Sequence, residues 1–277
     1  MISAFAADAP PRLLHEVVAE VMFTAGHATD FDEALELADP LLGEIRALVI
    51  EYQADSERRG LTWQFELYGS NDEYLRGASA ADPTLSEAER QTRARRAHAR
   101  TIRTTLTSLT APEFEIACTG ILRIMGCADP HTSSQGNDGG IDFYGRLELE
   151  GRLDNFSTYG GFDRRVGLWL IGQAKHYPTR NIQTAHIREL VGSVELARTK
   201  GAIHTWPGLH LRPFDAVIQV FFTTGDFSSG SNKLIDNSGL VAMNGDQLAT
   251  FLADAGLGLD STNTTFTESK FRMDLGL

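Results

Sequence analysis

Asp142 and the triplet Gln173–Ala174–Lys175 stand on two apolar, strand-like runs, IDFYG and LWLIGQAK. A carboxylate and an amide oxygen are hard ligands of the kind that Mg²⁺ takes. A lysine beside them can orient an attacking water and offset negative charge developing on a phosphate. On a strand alternate side chains share a face. Trp169, Ile171, Gln173 and Lys175 therefore point one way, and Leu168, Leu170, Gly172 and Ala174 the other. Two polar side chains emerge together from the end of a buried strand, where apolar residues are expected. Each also has a plain structural reading. Asp142 follows Gly139, Gly140 and Ile141 and can cap a tight turn. Gln173 can be a buried amide with satisfied hydrogen bonds, and Lys175 a snorkelling surface lysine. An amide brings an oxygen but no charge, so a metal held by Asp142 and Gln173 leans on phosphate oxygens and water and is bound modestly. Asp138, in the same loop as Asp142, reads as a turn former.

These residues need elements to hold them. Helical spacing runs over 11–23 and again over 31–53, where Pro40 kinks or breaks the run. Residues 62–78 hold a short strand or aromatic turn, followed by a polar loop. The small residues at 77–83 make the best internal boundary. Ser86 with Glu89 forms a capping box that opens a helix to about Leu109, and Thr110 with Glu113 opens a second, over 114–125. After a Gly-rich polar loop come the two motif strands, a helix at 184–199, a buried strand at 215–224, a short strand at 240–243 and a helix at 246–255. The expected organisation is an acidic, α-rich region of unknown role at 1–80 and a basic linking helix at 81–107. An α/β core with a central mixed sheet flanked by helices follows at 108–258, then a polar, loosely ordered tail at 259–277.

The chain has 277 residues, 42% hydrophobic and 22% charged, which is ordinary for a globular protein of one large or two modest domains. No apolar run approaches a membrane span, and the start lacks a basic, then long apolar leader. The two cysteines, Cys118 and Cys127, suit packed small apolar residues and exclude a secreted disulfide scaffold. A cytoplasmic protein without a membrane partner is expected. His131, His176 and His186 lack zinc spacing, and no Walker-type phosphate loop is present.

The net charge of −12 is unevenly spread: residues 1–80 hold 15 acidic against 5 basic residues. The remainder is nearly neutral and can carry a basic face toward nucleic acid. Arg93, Arg96, Arg100 and Arg103 recur at helical spacing, with Arg90 extending the stripe. The stripe has three readings: a solvated helix face, a ridge contacting DNA phosphates, or a surface paired with the acidic N-terminal region.

Several pieces follow one another in fixed order. They are Phe114–Glu115, Met125–Gly126, GNDGGID ending at Asp142, QAKHY from Gln173, IRELVGS from Ile187, and VFFTTGDFS from Val220. Together they resemble the Mrr-type restriction endonuclease domain of the PD-(D/E)xK nuclease superfamily, over roughly residues 108–252. Gln at position 173 is a common variant of that motif. The resemblance implies a Mg²⁺-dependent DNA endonuclease, with Mn²⁺ able to substitute, acting on double-stranded DNA in restriction or defence against foreign or modified DNA. It implies Asp142 and Gln173 as metal ligands, Lys175 as the catalytic lysine and Glu115, near the metal, as a supporting residue. Gln183, at the start of a helix, is a further nucleic-acid-binding candidate, since helix N-termini bind phosphate. A homodimer or a defence-system partner protein is compatible with this reading. Two alternatives stay open: an effector nuclease gated through the N-terminal region by a partner or small molecule, and a DNA-binding module without cleavage. The segment between Gly145 and Gly167 is longer than the family's usual hairpin, and the family's late IDG strand end appears only as Met243–Asn244–Gly245. Residues 1–107 carry no such resemblance.

Overall fold

The computed structural model describes residues 5–80, 82–133, 139–149, 152, 161, 166–199, 206–263 and 265–277. The chain forms two compact units, one of residues 1–100 with 250–265 and the other of 101–249 with 266–277.

In the first unit, β1 (Arg12–Leu13) leads directly into α1 (Leu14–Thr24). α2 (Phe31–Ala38) is capped by Asp30, whose side chain accepts from the Glu33 N–H at 2.8 Å. Pro40 ends it in a 3₁₀ turn, Asp39–Leu41, and α3 (Leu42–Arg58) resumes. The helical run expected over 31–53 is thus two helices, split where proline cannot donate. β2 (Phe65–Tyr68) and β3 (Tyr74–Gly77) form a hairpin, and β1 pairs with β3 to give the sheet order β1-β3-β2. Leu14, Val17, Val18, Ala34, Ala38, Val49, Phe65 and Leu75 are buried together. The region is helix-rich as expected, with a small antiparallel sheet added. α4 (Glu87–Arg96) starts at the Ser86–Glu89 capping box.

The second unit contains most of α5 (Ala99–Ser108) and then α6 (Ala111–Ile124), opened by the Thr110–Glu113 capping box. The single helix expected up to Leu109 is therefore two, interrupted at Ala97 and His98. Five strands follow: β4 (His131–Thr132), β5 (Phe143–Leu147), β6 (Leu168–Lys175), β7 (Ala216–Thr223) and β8 (Val241–Met243). They lie in sequence order in one sheet. β5 runs antiparallel to β4 and β6, whereas β6, β7 and β8 are parallel. Between them come α7 (Thr184–Thr199) and α8 (Ser229–Ser238), and α9 (Gly245–Asp254) follows β8. This is the mixed sheet flanked by helices that the sequence predicts.

β6 is central and reads as a near-continuous apolar run because both its faces are covered. Ile187, Leu190 and Val194 of α7 cluster with Tyr144, Ile171 and Phe221 on one face. Phe143, Gly172 and Phe222 occupy the other, where Phe143 and Phe222 stack with ring centroids 5.3 Å apart. Phe143 lies across Gly172 so closely that a Cβ there would collide with its ring. The tail is not loosely ordered throughout. α10 (Glu268–Leu275) buries Phe271 and Leu275, packs on α6, and ties Arg272 to Glu113 at 2.7 Å. Its two apolar anchors, one turn apart, are enough to dock a polar helix.

Candidate active site

The turn into β5 is made by Gly139 and Gly140, with φ of 53° and 83°, a region that side chains with a Cβ rarely adopt. It delivers Asp142 to the edge of β6. The Asp142 N–H donates to the Gly172 carbonyl at 2.9 Å, and its own carbonyl accepts from Ser133 at 2.8 Å. Its carboxylate oxygen Oδ2 accepts from the Ala174 N–H at 2.7 Å. The carboxylate is thereby clamped to the strand between Gln173 and Lys175, and only 2% of the residue is exposed. Asp138 of the same loop lies outside the described residues, as does most of the segment between Gly145 and Gly167.

Gln173 is fully buried. Its surroundings orient the amide: the nitrogen donates to the His186 carbonyl at 3.1 Å, and the oxygen accepts from Lys175 Nζ at 3.1 Å. The in-phase placement on β6 is what lets these two side chains meet. Lys175 is half-buried at the end of the strand. Its carbonyl accepts from the Thr223 hydroxyl at 2.8 Å, which ties the strand end to β7.

Glu115 lies half-buried on α6. The fully buried Cys118 thiol, one turn further, is pushed well above its usual pKa by burial and then by the charges of Asp142 and Glu115. Gln183 is exposed just before α7, and its side-chain nitrogen donates to the Asn181 carbonyl at 3.1 Å. Its backbone N–H donates to His186 Nδ1 at 3.2 Å. The structure thus draws Asp142, Gln173 and Lys175 together.

The arginines are placed otherwise. Arg93 and Arg96 belong to α4, and Arg100 and Arg103 to α5. Arg93 meets Glu66 at 2.8 Å, and Arg96 meets Asp254 through two bonds of 2.7 and 2.8 Å. Arg103 meets Asp246 at 3.1 Å, and Arg90 meets Glu87 at 2.7 Å.

The donors suit a divalent cation of the Mg²⁺ class. Asp142 supplies a carboxylate, and the Gln173 oxygen keeps a lone pair beyond the one turned to Lys175. Among the described residues no three His, Cys, Asp or Glu side chains cluster as a metal site. His186 is the site residue that sequence reasoning missed. It acts through a backbone carbonyl, and the identity of a side chain carries no signal for that.

The Mrr catalytic-domain family of restriction endonucleases matches residues 106–252. The chain belongs to that family. Restriction endonucleases are DNA-cleaving hydrolases, and the matched span takes in the whole sheet and every residue of the Asp142–Gln173–Lys175 group. Among solved structures, the MspJI restriction endonuclease in complex with a 27-mer oligonucleotide is 20% identical, with a TM-score of 0.36 over 64% of this chain and 36% of its own. The DNA modification-dependent restriction endonuclease AspBHI is 16% identical, with a TM-score of 0.39 over 73% of this chain and 45% of its own. This Mrr-family chain therefore spans less than half the length of either. No curated protein matches it. No helix among the described residues is long and apolar enough to cross a membrane.

Proposed function

We propose that this chain is a divalent-metal-dependent endonuclease that hydrolyses phosphodiester bonds of double-stranded DNA, and that it serves restriction of foreign or modified DNA. The observation that carries the reading is the clamp of Asp142 Oδ2 on the Ala174 N–H, which fixes a buried carboxylate between Gln173 and Lys175. Asp142 and the Gln173 oxygen would hold Mg²⁺, or Mn²⁺ in its place. The bound ion would supply Lewis-acid polarisation of the phosphate and a more acidic water. Lys175, its ammonium aimed by the Gln173 oxygen, offsets charge on the scissile phosphate. Glu115 adds negative potential beside Asp142. Gln183, at the start of α7, would contact a backbone phosphate.

The test is digestion of matched methylated and unmethylated plasmids with Mg²⁺ or Mn²⁺, comparing wild type with Asp142→Ala and Lys175→Ala. Each variant is expected to lose ~10²-fold or more of the cleavage rate. Wild-type cutting by either variant would remove that residue from the site. Uncut DNA from the wild type under every metal condition would overturn the reading.

A further inference from the structure

The first unit contains a cavity of about 370 Å³ between the α4 helix and the base of the β2–β3 hairpin, at the lower end of the volumes that hold small ligands. Its walls include the Trp63 indole, Leu85 and Ala88, with Arg93 and Arg96 on the same lining. Thr62, Ser79, Thr92 and the acidic Glu89 also line it, with the Thr92 hydroxyl donating to the Ala88 carbonyl at 3.0 Å and the Glu89 carboxylate held by the Ser86 hydroxyl at 2.6 Å.

The chemistry of the walls narrows the occupant. Both guanidinium charges are already answered inside the unit, Arg93 by Glu66 and Arg96 by the bidentate pairing with Asp254. A multiply charged phosphate is therefore not what the walls demand. Guanidinium groups keep donors beyond such pairs, and their planes stack on flat rings. Arg96 Cζ stands 5.9 Å from the Trp63 ring centroid, whereas Arg76 closes to 4.0 Å over Tyr68. The Tyr68 pair is shut and the Trp63 pair is loose. A flat aromatic ring, small enough for the cavity and carrying acceptors on its edge, matches an indole beside two guanidinium groups. Bases stack on such aromatic and arginine surfaces with little regard to sequence.

We propose that this cavity binds a nucleobase, separately from the Asp142–Gln173–Lys175 site and independently of whether that site cleaves. The base has two sources, a free nucleoside or an unpaired base of a nucleic-acid strand. The experiment is titration calorimetry on the full chain with adenosine and guanosine, with a short single-stranded oligonucleotide, and with ribose and inorganic phosphate as controls. Wild type is compared with Trp63→Leu and with Ala88→Phe, a filling change at an exposed helix position; unchanged melting temperatures show that both fold. A dissociation constant on the order of 10⁻⁴ M is expected for a nucleoside filling such a site. Trp63→Leu should weaken binding about tenfold, as removal of one stacking ring does, and Ala88→Phe should abolish it. Oligonucleotide binding that both variants weaken, without nucleoside binding, supports the same pocket chemistry and assigns the base to a strand. No binding of either, or binding that both variants leave unchanged, overturns the proposal. Because every readout is binding, an inactive nuclease site would not mimic its failure.

Discussion

Two buried clusters of charge can be set side by side. In the first unit, Arg76 bridges Glu66 at 2.7 Å and Asp82 at 2.5 Å, and Arg93 meets Glu66 from the other side at 2.8 Å. Glu66, Arg76 and Asp82 are all buried, and Tyr68 lies under the Arg76 guanidinium. In the second unit, Asp142 is equally buried, but what fixes its Oδ2 is a backbone N–H. A guanidinium positions a carboxylate and cancels its charge. A peptide N–H positions it without cancelling it. The first arrangement suits a structural knot, and the second is the kind the proposed metal site needs. Burial of acidic residues alone does not separate the two, whereas the identity of the donor does.

The largest expected difference lies in cleavage, where Asp142→Ala removes ~10²-fold or more of the rate. Changes in the Arg76 knot should leave the rate per folded molecule intact. Arg76→Met should instead destabilise the protein by about 3–5 kcal/mol, because it takes the guanidinium from the buried Asp82 carboxylate, while Glu66 keeps Arg93. A denaturant titration alongside the cleavage assay reads both quantities. If Arg76→Met lost cleavage while remaining fully folded, the contrast between knot and site would fail.

The knot also has a pH signature. The Thr84 hydroxyl, then Arg76, hold the Asp82 carboxyl well below the usual carboxylate range. A depressed folded-state pKa contributes stability that is fully present above the unfolded value of 3.8 and is lost as pH falls below it. Melting temperatures of wild type and Asp82→Asn should converge as pH drops below that value. A gap between them that stayed constant down to about pH 3, inside that window, would show that the knot does not hold the Asp82 pKa below its unfolded value.

At the site, the His186 carbonyl sharpens what Gln173 does. Gln173→Glu turns an N–H donor into an acceptor facing that carbonyl, 3.1 Å from the original nitrogen. The buried acceptor left unpaired should cost about 1–3 kcal/mol, while the added charge preserves partial cleavage with a shifted metal optimum. Gln173→Leu should lose metal-dependent cleavage altogether. Isothermal metal titration with both variants separates the two effects. A fully active leucine variant would make Gln173 a purely structural amide.

Local signals made much of this molecule legible. Both capping boxes, the in-phase Gln173 and Lys175, and the apolar run of β6 depend on residues close together in the chain. What escaped depends on partners distant in sequence or on the backbone. β3 reads as a continuation of a polar loop until it pairs with β2 and β1. The break at Ala97 and His98 contains no proline or glycine to announce it. α8 carries a weakly apolar sequence, although Ser228 caps its start and Gly239, at a φ of 72°, ends it, and those flanks were the available clue. The clamp on Asp142 is a peptide N–H, available at any non-proline residue, so residue types do not specify it.

The smallest expected effect concerns the arginines, and it extends the comparison from buried clusters to half-buried pairs. A phosphate-binding ridge requires guanidinium groups whose charge remains available to DNA. Arg96 instead gives two bonds to Asp254 and is about two-thirds buried, with 31% of its side chain exposed. Arg93 is drawn into the Glu66 knot. Removing an arginine that neutralises a phosphate flattens the salt dependence of DNA binding by a slope of roughly one. For Arg96→Ala, the pairing with Asp254 leads us to expect an unchanged slope and a stability loss of at most about 1 kcal/mol. Fluorescence anisotropy with one duplex, measured across a salt series, reads the slope directly. A slope that flattens by roughly one in the variant would return Arg96 to the DNA surface. It would also show that ion pairs seen in the free protein are exchanged for phosphate on binding. Tighter binding by the variant would mean that the stripe holds an inhibitory segment in place.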